Sequence, residues 1–204
     1  MPAKVLILLV GAAMALVNVA KREINCKVVY YGAGFSGKTT NLQFIHTHSP
    51  LAARGELLAL ATERERTLTF EFLPLDLGAI HGFQVRFHLY TVPGQVVYEM
   101  TRRAVLEGVD GVVFVADSTP EKFDENYQSL VELEGYMRAM RKDIAEFPFV
   151  MQWNKRDAPQ AVPVETLERY LNRLGVRSFP AVAVNGDGVF ATLLAICRAV
   201  MARL

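Results

Sequence analysis

The sequence predicts an α/β fold in which helices cover both faces of a mainly parallel sheet. Apolar runs typical of buried strands alternate along the chain with segments of helical periodicity, and this alternation is typical of parallel strands joined by helical crossovers. Two of the runs are joined by a short turn instead, so one strand is expected to be antiparallel. A glycine-rich loop joins the first predicted strand to the first predicted helix. These three observations predict a three-layer sandwich with a ligand site at one edge of the sheet.

The elements follow one another in a regular order. Strands are predicted at residues 27–31, 68–75, 84–90, 111–116, 147–153 and 179–184. Helices are predicted at residues 38–47, 96–107, 126–142, 164–174 and 188–203. Residues 48–66 are expected to form a loop and residues 76–82 the turn between the second and third strands. The second strand is therefore the expected antiparallel one.

Composition indicates one compact domain with nearly balanced positive and negative charge. The 204 residues are 51% hydrophobic, which is enough to bury a sizeable core. With 22 basic and 21 acidic side chains the net charge is +1, so no nucleic-acid partner is predicted. Cys26 and Cys197 resemble neither a disulfide scaffold nor a metal site, and they are expected to be core thiols in a reducing cytoplasm.

Residues 32–39 read G-A-G-F-S-G-K-T and match the phosphate-binding loop pattern G-x-x-x-x-G-K-[ST]. Small residues let successive backbone N–H groups surround phosphates, and the start of the following helix adds unpaired donors. Lys38 is placed to bridge the β- and γ-phosphates, and the Thr39 hydroxyl suits Mg²⁺. The predicted ligand is a nucleoside triphosphate. Its phosphates are assigned to Gly32, Gly34, Phe35, Ser36, Gly37, Lys38, Thr39 and Thr40.

Residues 154–157 read N-K-R-D and follow a predicted buried strand. Asp157 is placed to accept hydrogen bonds from the ring N–H and the exocyclic amine of guanine. Adenine presents a lone pair where guanine presents that N–H, and such a polar mismatch in a dry pocket can reject a ligand by about 10⁴-fold. The segment therefore predicts binding of GTP and GDP rather than ATP, with Asn154, Lys155 and Asp157 as base-binding residues.

These two motifs, together with Y-T-V-P-G-Q at 90–95 and V-F-V-A-D-S at 113–118, resemble the Ras-like small GTPases. The similarity is greater to the bacterial MglA family of polarity and gliding-motility GTPases, and it extends from about residue 18 to the C-terminus. The resemblance implies a Ras-like P-loop fold, a cytoplasmic location, and GTP hydrolysis with Mg²⁺. It also implies two kinds of partner, which are a roadblock-domain (MglB-like) activating protein and effectors of polarity or motility.

The resemblance assigns roles to residues outside the two motifs. Gly94 matches the glycine whose N–H contacts the γ-phosphate, and Gln95 matches the residue that orients the attacking water. Thr67 matches a threonine that reaches Mg²⁺, so Thr39 and Thr67 are the expected metal ligands. Arg66 resembles an arginine finger supplied in cis, a group worth about 10³ to 10⁵ in rate. The alternative is that residues 63–66 form a solvated charge run in which either arginine is free in water.

Three positions depart from the family patterns. Thr91 stands where most Ras-like proteins have an Asp that holds a magnesium-bound water. Glu71 stands where the MglA-like pattern usually has Asp, and we hypothesise that it helps to hold the magnesium shell in place of the acid missing at position 91. Ala183 occupies the start of the Ser-Ala-Lys position of Ras-like proteins, so a third base contact is expected from its backbone.

The N-terminus allows two interpretations. An apolar run at residues 5–17 is too short to span a membrane and close in length to a signal-peptide core. Because Met14 falls where MglA-like proteins begin, we expect translation to start at Met14, so that the apolar extension at residues 1–13 is a mis-assigned start outside a GTPase domain at residues 14–204. A membrane anchor or an extra segment packed on the sheet is the open alternative.

The sequence supports a GTP-hydrolysing molecular switch over two other functions. One alternative is a nucleotide-dependent binding module with negligible hydrolysis, suggested by Thr91 and Glu71. The other is an ATP-dependent small-molecule kinase, against which the segment at residues 154–157 argues.

Overall fold

The computed structural model describes residues 16–62, 65–93 and 99–204, and it describes their side chains except at residues 60–69 and 99. The strands are β1 (Leu16–Asn18), β2 (Glu23–Tyr31), β3 (Leu58–Thr62), β4 (Glu65–Ile80), β5 (Phe83–Thr91), β6 (Gly111–Asp117), β7 (Phe149–Asn154) and β8 (Ser178–Pro180). The helices are α1 (Lys38–His48), α2 (Glu99–Leu106), α3 (Phe123–Ala139), α4 (Val164–Leu171) and α5 (Val189–Met201). Short 3₁₀ turns lie at Leu51–Ala53 and Pro120–Lys122.

The strands form one mixed, mostly parallel sheet in the order β3-β4-β5-β2-β6-β7-β8. Strand β2 lies at the centre and pairs in parallel with both β5 and β6, and the parallel pairing continues through β7 to β8. Strand β4 runs antiparallel to β5, as the short connection predicted. The three-residue strand β1 pairs antiparallel with the start of β2. The predicted fold class is therefore confirmed.

The structure differs from the prediction at the connection before β4. Residues 48–66 were expected to form a loop, yet Leu58–Thr62 form β3, which pairs antiparallel with β4. The sequence of β3, L-A-L-A-T, carries little strand signal because alanine has a low β-propensity, and the strand depends on pairing with β4. The expected turn at 76–82 is also shorter. Strand β4 continues to Ile80 past a register shift between Asp76 and Ala79, and only residues 81–82 make the turn.

Strand β8 is shorter than the predicted strand at residues 179–184 and ends at Pro180. Beyond it, the N–H of Val182 donates to the carbonyl of Asp187, which closes a turn. The N–H of Ala183 donates to a side chain of the candidate site, so it is not available for a strand ladder. The last connection before α5 is therefore a compact loop facing the site.

Two apolar cores cover the two faces of the sheet. Along β2, Cys26, Val28 and Tyr30 face the core formed with α1 and α5, whereas Val29 and Tyr31 face the core formed with α2, α3 and α4. Cys197 joins Cys26 in the first core, and both are free thiols, as the sequence predicted. Burial raises the pKa of each thiol to about 12. Among the helices that the structure describes, none combines the length and the apolar character needed to cross a membrane.

The fold brings the carboxyl ends of β2, β6 and β7 side by side at one edge of the sheet. The glycine-rich loop follows β2, residues 118–119 follow β6, and residues 155–157 follow β7. In open α/β sheets this edge is where ligands bind. The predicted extension at residues 1–13 lies outside the described residues, so the proposed domain boundary at position 14 stays a prediction.

A matched pair of glycine substitutions tests the packing of α5 on β6. We expect Gly111→Ala to lower the free energy of unfolding by about 1–3 kcal/mol, because an added methyl group would lie 2.6 Å from Cγ2 of Val200. Gly135→Ala is the control, since a methyl group at that position in α3 meets no described atom within 4 Å. It should raise the free energy of unfolding by about 1 kcal/mol. Urea denaturation measures both, and equal shifts would contradict the packing described.

Candidate functional site

The loop between β2 and α1 adopts a backbone that requires glycine at two positions. Gly32 has φ 143° and Gly37 has φ 102°. A Cβ at Gly32 would lie 2.1 Å from the carbonyl oxygen of Val115, and one at Gly37 would lie 2.1 Å from Nδ2 of Asn154. The loop therefore packs directly on the ends of β6 and β7. Helix α1 begins at Lys38 without a side-chain cap, which leaves backbone N–H groups directed toward the loop.

Lys38 is buried under this loop. Its Nζ donates to the carbonyls of Gly32 at 2.9 Å and Ala33 at 2.6 Å. Burial lowers the pKa of Lys38 to about 7, although the nearby carboxylate of Glu71 opposes this shift. In the structure, main-chain oxygens are the closest partners of this ammonium group. A phosphate at the loop would supply the negative charge that such a buried ammonium group favours.

Asn154 joins the phosphate loop to the last connection of the sheet. Its Nδ2 donates to the carbonyl of Ser36 at 2.7 Å, and its Oδ1 accepts from the backbone N–H of Ala183 at 2.9 Å. The side chain is 2% exposed, so both bonds are shielded from water. Three segments that are distant in sequence are thereby held at one point. This places Ala183 beside the candidate base-binding motif, and its predicted contact with the base stays a prediction.

Asp157 and Lys155 differ in their surroundings. The Asp157 carboxylate is exposed and makes no hydrogen bond to any residue in the described part of the chain, so it is available to a ligand. Lys155 has φ 62°, and its Nζ lies 2.5 Å from Oδ2 of Asp117. Asp117 is buried at the end of β6, and its Oδ1 accepts from the N–H and hydroxyl of Thr119. Asp117 thus orients Lys155.

Sequence reasoning did not assign a role to Asp117. Its carboxylate ends a strand whose other six residues are apolar or glycine, G-V-V-F-V-A, and an acid at the carboxyl end of a buried strand is the signal that could have identified it. The partner could not be identified in the same way, because Lys155 lies in a different connection of the sheet. Only the pairing of β6 with β7 brings Asp117 opposite Asn154, next to Lys155.

Hydroxyl and carboxylate oxygens meet beside the start of α1. Oε2 of Glu71 accepts from the hydroxyl of Thr39 at 2.9 Å and from the hydroxyl of Thr91 at 2.5 Å. The backbone N–H of Glu71 donates to Oγ1 of Thr91 at 2.9 Å. These are the hard oxygen donors that Mg²⁺ prefers, so the chemistry of the residues fits that ion. The hypothesis that Glu71 helps to hold the magnesium shell in place of an acid at position 91 stays a prediction.

The remaining predicted site residues fall into two groups. Gly34, Phe35 and Thr40 lie in or directly after the phosphate loop, and the ring of Phe35 is 78% exposed. Arg66 and Thr67 lie in β4, five and four residues before Glu71 along the strand, and the structure does not describe their side chains. Gly94 and Gln95 lie outside the described residues. The roles of all these residues in binding and hydrolysis stay predictions.

Comparison with known proteins gives concordant results. Residues 12–198 match the ADP-ribosylation factor family. The chain is 50% identical over 191 residues to the mutual gliding-motility protein MglA of Myxococcus xanthus (strain DK1622), which covers 94% of this chain and 98% of that protein. It is 27% identical to the ADP-ribosylation factor-like protein 6 of Caenorhabditis briggsae, over 85% of each chain. The protein of that name in Caenorhabditis elegans is also 27% identical, over 86% of this chain and 85% of its own.

The lowered pKa of Lys38 predicts a pH dependence of nucleotide binding. In the nucleotide-free protein Lys38 loses its proton near pH 7, whereas a bound triphosphate would keep the ammonium charged. Binding above that pH therefore takes up a proton, and affinity should fall by up to about tenfold per pH unit from about pH 7.5 to 9. Titrations with a fluorescent GDP in EDTA, from pH 6 to 9, measure this effect.

Lys38→Arg is the matched control for this titration, because a guanidinium stays charged over the whole range. Its affinity, weaker or not, should be independent of pH. A wild-type affinity that is equally flat from pH 7 to 9 would show that Lys38 is already fully charged in the free protein.

Proposed function

The chain belongs to the ADP-ribosylation factor family, and we propose that its nucleotide switch controls cell polarity or motility through nucleotide-dependent partner binding. As a small GTPase it binds guanine nucleotide and hydrolyses GTP to GDP and phosphate. The observation that carries the proposed binding site is the buried amide of Asn154, which bonds to Ser36 and to Ala183. The polarity or motility role is supported by the 50% identity to a protein named for gliding motility.

In the proposed complex the triphosphate lies along the loop at residues 32–37. The loop N–H groups and the start of α1 bind the phosphates, while Lys38 exchanges the carbonyls of Gly32 and Ala33 for β- and γ-phosphate oxygens. The guanine base lies between the Lys155 stem and the segment at Ala183. Asp157, which has no competing partner in the described residues, accepts the two guanine N–H groups.

For the metal, the residues proposed to bind Mg²⁺ directly are Thr39 and Thr67. Glu71 and Thr91, already bonded to each other and to Thr39, are proposed to hold water around it. When bound, Mg²⁺ neutralises charge on the β- and γ-phosphate oxygens. The Thr39 hydroxyl donates its hydrogen to Glu71 and keeps its oxygen lone pairs for the ion, so the hydrogen bond between α1 and β4 can remain when nucleotide binds.

Hydrolysis is proposed to depend on residues that position charge and water. Gln95 orients the attacking water, the N–H of Gly94 contacts the γ-phosphate, and Arg66 provides positive charge to the transferring group. After phosphate leaves, the segments carrying Thr67 and Gly94 lose their contacts with it, and the affinity for partners changes. We propose that a roadblock-domain protein acts as the activator, that polarity or motility effectors bind the GTP form, and that this cycle is cytoplasmic.

Changing the base-reading acid tests the proposed guanine contacts. We expect Asp157→Asn to weaken GTP binding by about 100-fold or more, because two hydrogen bonds to a charged group are lost. The amide can donate to the extra carbonyl of xanthine, so affinity should shift toward xanthosine triphosphate. Competition against a fluorescent GDP measures both ligands, with Asp187→Asn as a control acid in the neighbouring loop. An unchanged preference for guanine would exclude Asp157 as the base reader.

Single-turnover hydrolysis tests the proposed catalytic residues. With a roadblock-domain activator present, Gln95→Leu and Arg66→Ala should each lower the rate by about 10³-fold, while GTP affinity stays within about threefold of wild type, as expected for contacts made in the transition state. Arg64→Ala is the control for Arg66, because it removes the neighbouring arginine of the same charge run. If Arg64→Ala lowers the rate as much, the finger is not specific to position 66. Phosphate release at the uncatalysed rate in wild type, with and without activator, would leave only a binding module.

A further inference from the structure

We propose that a buried amide pair, Asn41 and Gln152, is a positioning device that fixes the phosphate-binding half of the site relative to the base-binding half. This inference rests on the proposed function, since it requires a nucleotide that occupies both halves. Asn41 lies in the first turn of α1, after the phosphate loop, and Gln152 lies in β7, two residues before Asn154. Neither residue belongs to the motifs that predicted the site.

The two amides pair reciprocally. Nδ2 of Asn41 donates to Oε1 of Gln152 at 2.9 Å, and Nε2 of Gln152 donates to Oδ1 of Asn41 at 3.0 Å. Both side chains are fully buried. Such a pair has direction, because each oxygen must face the partner's N–H. It therefore sets the distance and the relative orientation of α1 and β7, which apolar contacts of the same size would leave free to slide.

The second N–H of each amide donates a hydrogen bond, directly or through one hydroxyl, toward the residue that precedes a helix. Nδ2 of Asn41 also donates to the carbonyl of Gly37 at 2.9 Å, at the start of α1. Nε2 of Gln152 donates to Oγ1 of Thr192 at 3.1 Å, and that hydroxyl donates to the carbonyl of Gly188 at 2.7 Å, at the start of α5. One continuous chain of hydrogen bonds therefore connects the first residues of α1 and α5 across β7.

Both ends of this chain are glycines that must remain glycine. Gly37 and Gly188 have φ of 102° and 74°, and each is the residue before its helix begins. An added Cβ would lie 2.1 Å from Nδ2 of Asn154 at Gly37 and 2.2 Å from the carbonyl oxygen of Pro180 at Gly188. Helix α1 opens from the phosphate loop, and α5 opens from the loop that contains Ala183. The carbonyls held by the network thus belong to the two connections that are proposed to contact the nucleotide.

The network runs parallel to the bonds of Asn154. Residues two apart in a strand face the same side, so Gln152 and Asn154 project toward the same layer. Asn154 links Ser36 directly to Ala183, and Gln152 links Gly37 to Gly188 through Asn41 and Thr192. Two cross-links between the same pair of connections resist rotation as well as separation. A single cross-link at Asn154 would leave the two connections free to rotate about it.

The test uses a paired substitution, because every N–H of the two amides has a partner. A single Gln152→Leu change leaves Oδ1 of Asn41 buried without its donor, and it should destabilise the protein whatever its role. Replacing both partners with apolar residues removes that penalty. We expect Asn41→Leu/Gln152→Leu to recover most of the unfolding midpoint lost in Gln152→Leu, yet to release a fluorescent GDP about tenfold faster than wild type. Stopped-flow dissociation against excess GDP measures the rate.

Asn172→Ala is the matched control. Asn172 is a buried amide at the end of α4, which packs on the opposite face of the sheet from α1 and α5, and it bonds to Glu168 and to the main chain of Val176. This variant should lose stability with a GDP dissociation rate within twofold of wild type. If the paired Leu variant regains stability and also releases GDP at the wild-type rate, the network is only core packing and the proposal is overturned.

A second variant keeps the test decisive if the paired change fails to fold. Thr192→Val preserves the amide pair and its volume but cuts the link to Gly188, and GDP release should be about threefold faster than wild type. A wild-type rate in that variant would also overturn the proposal. Wild-type protein that binds no guanine nucleotide would contradict the proposed function instead, so the two failures are distinguishable.

Discussion

The site depends on two hydrogen bonds made by one buried amide, that of Asn154. Pairing of parallel strands brings the ends of β2 and β7 near each other, but it leaves the loops that follow them free to move. The bond from Asn154 to Ser36 fixes one of these loops across 118 residues of sequence, and the bond from Ala183 fixes the last connection across 29. Because the amide is shielded from water, losing either bond would leave a buried main-chain group unsatisfied, at a cost of about 1–3 kcal/mol.

Two polar side chains of the phosphate-binding half of the site have protein partners in the structure. Lys38 bonds to loop carbonyls, and the hydroxyl of Thr39 bonds to Glu71. The contacts of Lys38 satisfy a buried group without a nucleotide, and phosphate oxygens would replace them. The bond from Thr39 matters most for switching, because its acceptor Glu71 belongs to β4, the strand that also carries Arg66 and Thr67. Binding at the phosphate loop is therefore coupled directly to that strand.

What could be predicted from the sequence depended on how local the signal was. The phosphate loop and the N-K-R-D motif are each continuous in sequence. The residue spacing within each motif therefore predicted it, together with the strand that precedes it. Strand β3 was missed because its alanines carry little strand signal apart from pairing with β4. The ion pair of Asp117 with Lys155, and the amide pair of Asn41 with Gln152, 111 residues apart, require the strand order before their partners can be named. The actions of Gly94 and Gln95 stay predictions.

The register of the β4–β5 pair places the carboxylate of Glu71 beside the hydroxyl of Thr91, where most Ras-like proteins have an Asp. In the β4–β5 pair Phe72 lies opposite Tyr90 and Leu73 opposite Leu89, so Glu71 and Thr91 are the next neighbours across the two strands. The hydroxyl of Thr91 donates to the Glu71 carboxylate, which in turn reaches Thr39. Glu71 thus brings a carboxylate beside the hydroxyl of Thr91 and the start of α1. A slip of one residue would turn Glu71 to the opposite face of the sheet. The proposed metal shell therefore depends on the antiparallel register of β4 and β5 as much as on the phosphate loop.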